Sequence, residues 1–278
     1  IEAHERAVGA VLRRQRRASW RVLPRRNAAV KTYPTDFVVV ETTPSGTSTF
    51  ERARRSRAKD EALDSLREVL RDVAKDVHRE QRITRKSLLQ DGAGNDSGNE
   101  DEEDAPSRRR GRKLLQSSVA MKLNANALWK QGYTGAGVKM AIFDTGIAAD
   151  HPHFNNIIER TNWTNENQLE DGLGHGSFVA GVIAGTSKDC AGFAPDAHIH
   201  TFRVFTTAQN SYTSWFLDGF NYAIASGVHV LNLSIGGPDY LDIPFVDKIH
   251  EITASGIIMI SAIGNDGPLY GTLNNPAD

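Results

Sequence analysis

Val138-Lys139-Met140-Ala141-Ile142-Phe143-Asp144-Thr145-Gly146 and, further along, Asp171-Gly172-Leu173-Gly174-His175-Gly176-Ser177-Phe178-Val179-Ala180-Gly181 are the stretches whose reading decides the fold. The first is an apolar run that stops at an acid, a threonine and a glycine, as a buried strand does when it delivers a polar side chain at its C-terminal end. An open parallel sheet collects its chemistry at that end. The second stretch sets a histidine between two glycines at the head of a helical run. Ala180, Gly181 and Ala184 would let another element approach closely, so a buried helix is expected. An acid on a strand end and a histidine at a helix start make the half of a Ser-His-Asp arrangement that prepares the base. The carboxylate holds one imidazole tautomer and stabilises the imidazolium formed when the ring takes a proton.

Working outward, apolar runs and helical periods alternate. A short helix over 124–131 precedes the strand at 138–143, and the His175 helix leads to a strand over 198–205. Ser211 starts a helix whose Phe216, Phe220 and Ile224 share a face and which Gly227 stops. A strand over 228–235 follows. Pro244 stands at a helix start, Phe245, Ile249 and Ile252 line one side, and Gly256 ends that helix before a strand over 257–263. Strand, helix and strand repeated in this way predict an α/β fold, a parallel sheet with helices on both faces.

The part before this core differs in composition. Residues 1–117 carry 26 basic against 19 acidic side chains, and residues 118–278 carry 7 against 15, so a net charge of -1 hides a basic arm ahead of an acidic domain. Aromatic residues are too sparse among the arginines for a nucleic-acid surface. Within the arm, 37–40 reads as a strand and 42–49 as a loop. Leu63, Leu66, Leu70, Val73 and Val77 recur at helical spacing, which predicts an amphipathic helix over 60–77. Residues 90–106 are too polar to fold alone, and the basic run 108–113 follows them. Three regions result: 1–89, a linker over 90–117, and 118–278. Cys190 is the only cysteine, so no disulfide forms within the chain and the compartment stays open. The chain starts at Ile1 with no signal peptide or spanning run, and both ends read as cuts.

The Asp144-Thr145-Gly146 turn alone also resembles the catalytic loop of aspartic proteases, but those need two such loops on β-rich lobes. Taken with Gly174-His175-Gly176-Ser177-Phe178-Val179-Ala180-Gly181, Leu231-Asn232-Leu233-Ser234-Ile235-Gly236-Gly237-Pro238 and Ser261-Ala262-Ile263-Gly264-Asn265-Asp266-Gly267-Pro268, it resembles a subtilase catalytic domain. The order Asp, His, then Ser is the order of that group. The resemblance implies a subtilisin-like sheet, Asp144 as triad acid, His175 as general base and Asn265 as the oxyanion donor. It also implies that Ser234, Gly236 and Gly237 form the edge on which a substrate peptide adds as a strand. No turn after Asn265 fits the family's nucleophilic serine. The chain as given is therefore expected to lack it, as a fragment of an active protease or as a non-catalytic interaction domain. Residues 1–89 resemble, more weakly, part of an α+β prodomain that chaperones and inhibits the enzyme.

The wider wording implies a membrane-anchored branch of the family. Such enzymes work in the lumen of the endoplasmic reticulum and Golgi on membrane-bound protein precursors, after Arg-x-x-Leu-type sites, with the anchor C-terminal to this sequence. Arg112 lies three residues before Leu115, and Arg85 three before Leu88, which makes both pairs candidate self-processing sites. Asn162-Trp163-Thr164, in a loop-like stretch, is a glycosylation acceptor triplet. No cofactor is needed for this chemistry. Structural calcium is common in the family, but no ligand set can be named.

Overall fold

Helical spacing of Val8, Val11 and Leu12 gives the chain a first helix that sequence reading passed over, α1 (Glu2–Arg13). The computed structural model describes residues 2–14, 19–23, 36–43, 62–84, 123–187, 190–235, 242–265, 267–268, 270–274 and 276–277. In the arm, β1 (Ser19–Val22) pairs antiparallel with β2 (Val40–Thr43), with Val22 opposite Val40. A second helix, α2, spans residues 62–70. Val8, Leu12, Leu66 and Leu70 form a small buried core on which Trp20, Val38 and Val40 pack. The strand expected over 37–40 thus begins only at its last residue. The helix expected over 60–77 stops at 70, where the Val73 N–H tightens onto the Leu70 carbonyl in an i→i−3 turn. Valine and aspartate are weak helix formers, and Asp76 accepts the Val77 N–H at 2.7 Å, a local bond that competes with the helix. Thr42 and Thr43, expected in the loop over 42–49, instead end β2; the rest of that loop, the linker and the residues Arg85, Leu88, Arg112 and Leu115 lie outside the described residues.

The arm also carries β3 (Arg82–Thr84), and after it come α3 (Ala125–Trp129), β4 (Lys139–Asp144), β5 (Ile157–Asn162), α4 (His175–Ala184) and the short pair β6 (Thr186–Ser187) and β7 (Cys190–Ala191). Then follow β8 (His198–Arg203), β9 (Asn210–Tyr212), α5 (Thr213–Ser226), β10 (Val230–Leu233), α6 (Ile243–Ala254) and β11 (Ile258–Ser261). Five strands form one sheet in the order β11-β10-β4-β8-β5, and every neighbouring pair is parallel.

Central strands alternate their side chains between two faces, and β4 shows it. Ala141 and Phe143 enter the core under α5 and α6 with Phe202, Phe216, Phe220, Phe245 and Ile252. Met140 and Ile142 enter the core under α4 with Ile147, Ala180, Ala184 and Ile199. Phe143 stacks on Phe202 with ring centroids 4.4 Å apart. Both cores end at the C-terminal edge of the sheet, which leaves the ends of β4, β10 and β11 side by side.

Three expectations need correction. Residues 157–162 form the edge strand β5, so Asn162 ends a strand rather than sitting in a loop. Ser211 lies in β9, and the helix it was expected to start begins at Thr213. The helix at His175 is buried on one face only: Ala180 and Ala184 are inaccessible, whereas Phe178 is 69% exposed. Gly181 meets no neighbour.

Candidate active site

Asp144 is the last residue of β4 and is 1% exposed. Its Oδ1 accepts the Thr145 N–H at 2.8 Å. His175 is the first residue of α4, and its Nδ1 lies 2.8 Å from both carboxylate oxygens of Asp144. The histidine side chain keeps 29% of its surface in solvent. Nδ1 turned onto a buried carboxylate leaves Nε2 as the nitrogen that can take up and release a proton toward a reactant.

The backbone brings these two residues together at a glycine contact. Gly174 caps α4 in the left-handed region, with φ 81°, and turns the chain sharply into the helix. A Cβ on Gly176 would lie 2.1 Å from the Gly146 carbonyl oxygen, so only glycine lets the first turn of α4 rest on the turn after Asp144.

Ser234 follows β10 at the same sheet edge, where Leu233 pairs with Phe143. It is half-buried, and its Oγ accepts from the Asn232 amide at 2.7 Å. Asn265 is exposed in the segment after β11, a strand held in register by Ser261 opposite Leu233. Gly236 and Gly237 fall outside the described residues. Asp144, Ser234 and Asn265 therefore end or follow strands at one edge of the sheet, and a direct side-chain contact joins Asp144 to His175 at the head of α4.

Asp171 is a residue of this site to which sequence reading gave no role. It accepts hydrogen bonds from Thr145, Leu173, Gly174 and Ser177. Burial, the largest single influence, pushes its carboxyl up, but the donors of Ser177, Thr145 and Gly174 together hold it below the usual carboxylate range. An acid shortly before a helix start is a legible N-terminal signal, and it was available in the Asp171-to-His175 spacing.

Arg203, 1% exposed at the end of β8, makes an ion pair with Glu166 and donates to Thr164 at 3.0 Å. Burial raises the Glu166 carboxyl, but Arg203, the Thr207 N–H and Gln168 bring it below its ordinary value. The Asn162 amide nitrogen donates to the Glu166 carbonyl. Among the described residues no group of three or more His, Cys, Asp or Glu side chains is placed to hold a metal ion, and a calcium site built from such side chains finds no fit there.

The subtilase profile matches residues 135–278, which include the whole five-stranded sheet and both residues of the pair. The chain belongs to the subtilase family. This subtilase is 48% identical over its full length to the human membrane-bound transcription factor site-1 protease, of which it spans 27%. It is 73% identical over 163 residues, 59% of the chain, to the subtilisin-like protease SBT6.1 of Arabidopsis thaliana, of which the match covers 16%. Over 52% of the chain it is 34% identical to subtilisin E of Bacillus subtilis, the match covering 39% of that protein. The matched residues thus span well under half the length of each relative.

Proposed function

We propose that this chain contributes the base and the oxyanion donor of a subtilisin-like serine endopeptidase. The observation that carries the reading is the His175 Nδ1 held 2.8 Å from both oxygens of a buried Asp144. The nucleophilic serine comes from sequence beyond Asp278. Nε2 of His175 takes the serine hydroxyl proton as Oγ bonds to the substrate carbonyl carbon, and Asp144 stabilises the imidazolium. The same proton passes to the leaving amine as the C–N bond breaks. Water then repeats the cycle on the acyl-enzyme. Asn265 donates to the carbonyl oxygen as it gains charge, an interaction worth on the order of 3 kcal/mol in a subtilisin. The edge Ser234, Gly236 and Gly237 receives the substrate backbone.

Residues 1–89 act as a prodomain. Their contacts support an inhibitory role: β3 pairs antiparallel with β9, placing Ile83 opposite Ser211. Arg82 donates to Asn210 at 2.7 Å. Without β3, β9 has no other strand partner among the described residues and offers an edge that an extended peptide can join. β9 follows directly from the segment whose Val204 N–H bonds the Asp144 carbonyl at 2.9 Å. A second anchor is Lys248 of α6, which reaches Asp36 of the arm at 2.7 Å.

The resemblance to the site-1 proteases extends the proposal to membrane-bound precursors in the lumen of the secretory pathway, cut after Arg-x-x-Leu-type sites. By the same resemblance an anchor is expected C-terminal to this sequence; no described helix is long and apolar enough to cross a membrane. Self-processing is placed after Leu115, with Leu88 as an inner site. Asn162 is a candidate glycan site.

The deciding experiment compares the full-length protein with its His175→Ala variant on peptides containing Arg-x-x-Leu. Turnover should fall by several orders of magnitude. Near-wild-type turnover would refute the triad, and no hydrolysis by the wild type would favour a non-catalytic interaction domain. N-terminal sequencing of the mature enzyme should find Gln116 first, and Arg112→Ala should suppress that cut. An unchanged cut in Arg112→Ala excludes the assigned site.

A further inference from the structure

Asp171 touches neither Asp144 nor His175 in any of its hydrogen bonds, yet it binds close neighbours of both: the Thr145 side chain next to Asp144, and Gly174 and Ser177 on either side of His175. Oδ1 accepts from the Thr145 hydroxyl at 2.8 Å, the Gly174 N–H at 2.8 Å and the Leu173 N–H at 3.1 Å. Oδ2 accepts from the Ser177 N–H at 2.8 Å and the Ser177 hydroxyl at 2.7 Å. The two hydroxyls then work in the reverse direction across the gap. Thr145 Oγ1, which follows β4, accepts the Gly176 N–H of α4 at 3.0 Å. Ser177 Oγ, on α4, accepts the Ala148 N–H of the loop after β4 at 2.9 Å. A single carboxylate with five donors thus closes the contact between Gly146 and Gly176 from both sides.

The bonds also take up the N–H groups of Gly174, Gly176 and Ser177 at the head of α4, which a helix leaves without internal partners and which the N-cap Gly174 has no side chain to receive. A negative charge beside that helix end is favourable, and the fixed donors leave the carboxylate no rotational freedom. We propose that Asp171 is the positioning residue of the pair, setting the Asp144–His175 distance by joining the turn after β4 to the first turn of α4. The inference rests on the triad reading for its catalytic consequence, but the geometric coupling stands apart from it.

Asparagine at 171 keeps the shape and replaces one oxygen by an amide that cannot accept. Either the Ser177 donors or the Thr145 and Gly174 donors then face an N–H group. In the full-length enzyme Asp171→Asn should lower kcat on the order of 100-fold, the cost of a misplacement near 1 Å, while KM changes by less than about twofold. A purely structural role would lower the yield of folded enzyme without this split. The second measurement needs no catalysis: with 15N-labelled histidine in the 278-residue chain, the wild type should show a slowly exchanging Nδ1 proton on His175. Asp171→Asn should lose that signal while the amide resonances of β4, β8 and β10 persist. If the variant does not fold, Ser177→Ala and Thr145→Val remove one end of the network each, and either should broaden the same proton. Retention of the Nδ1 proton together with kcat within about threefold of wild type overturns the proposal. A full-length wild type that cleaves nothing sinks the protease reading and leaves the proton measurement to decide the coupling.

Discussion

Gly176→Ala is the smallest change that should separate the catalytic pair. The added methyl would sit 2.1 Å from the Gly146 carbonyl oxygen, whereas Cβ contacts under 3.0 Å essentially do not occur. Something must move by about 0.9 Å, and the obstructing atom is backbone, so no side chain can swing aside to relieve it. One side of the contact carries Asp144, two residues before Gly146, and the other carries His175. A displacement of that size takes the Nδ1 separation from 2.8 Å to well beyond hydrogen-bonding distance if it falls along the line between them. Overpacking of this kind costs roughly 1–3 kcal/mol of stability. The catalytic loss should be larger, about 100-fold in kcat for a misplacement near 1 Å. The assay is steady-state hydrolysis by the full-length variant, with thermal unfolding as the companion measurement. A variant within threefold of wild type in kcat would show that the turn after β4 and the helix yield independently, and would remove the argument that the glycine contact sets the pair.

Two further outcomes follow from the ion pairs. Glu166→Gln leaves the Arg203 guanidinium buried without its counter-charge, which should destabilise the fold by roughly 3–5 kcal/mol and lower Tm by about 10 °C; a shift under 2 °C in calorimetry would show that Arg203 finds other compensation. Asp36→Ala should weaken inhibition of the mature enzyme by added arm about fivefold, since an ion pair whose acid is 59% exposed is screened to about 1 kcal/mol. The pH dependence of that effect has a definite sign. Burial raises the Asp36 carboxyl, but Lys248 and Asn221 outweigh it and hold it below its ordinary value. The contribution is therefore fully present above the free carboxyl's pKa of about 3.9 and is lost only as pH falls through the lower bound-state value. Inhibition constants at pH 7.5 and pH 5.5 should show the same Asp36→Ala ratio; a ratio that collapses by pH 5.5 would mean another group titrates at the interface.

The core strands and their helices were legible because their signals are local. β4 is an uninterrupted apolar run, α5 has aromatic residues at helical spacing, and Gly227 and Gly256 mark stops. Asp144 and His175 could be singled out from glycine placement and chain order. What escaped depends on partners distant in sequence. β9 is a strand only because Arg82 and its neighbours pair with it from 128 residues away, so the helix start was placed at Ser211. β5 is an edge strand with Glu159, Arg160 and Thr161 in its middle. Its polar groups bond across to the Tyr222 hydroxyl, the Ile147 carbonyl and the Thr201 carbonyl rather than to water. The arm helix α1 had its Val8, Val11 and Leu12 pattern in plain view, but the sequence reading gave residues 2–13 no element. Asp171 was quoted within the histidine motif without a role, because a spacing shows that an acid precedes a helix but not that five donors converge on it.

The glycine contact and its carboxylate brace also limit how this chemistry can be moved. Grafting an aspartate and a histidine onto another parallel sheet at matching positions would reproduce two side chains and none of what fixes their separation. The smallest transferable unit is the turn 144–148 with the segment 171–177, since Thr145, Ala148, Asp171, Gly174, Gly176 and Ser177 each supply a bond or a clearance that the others require. A recipient scaffold must present a strand end and a helix start close enough for a carbonyl to rest against a Cα hydrogen.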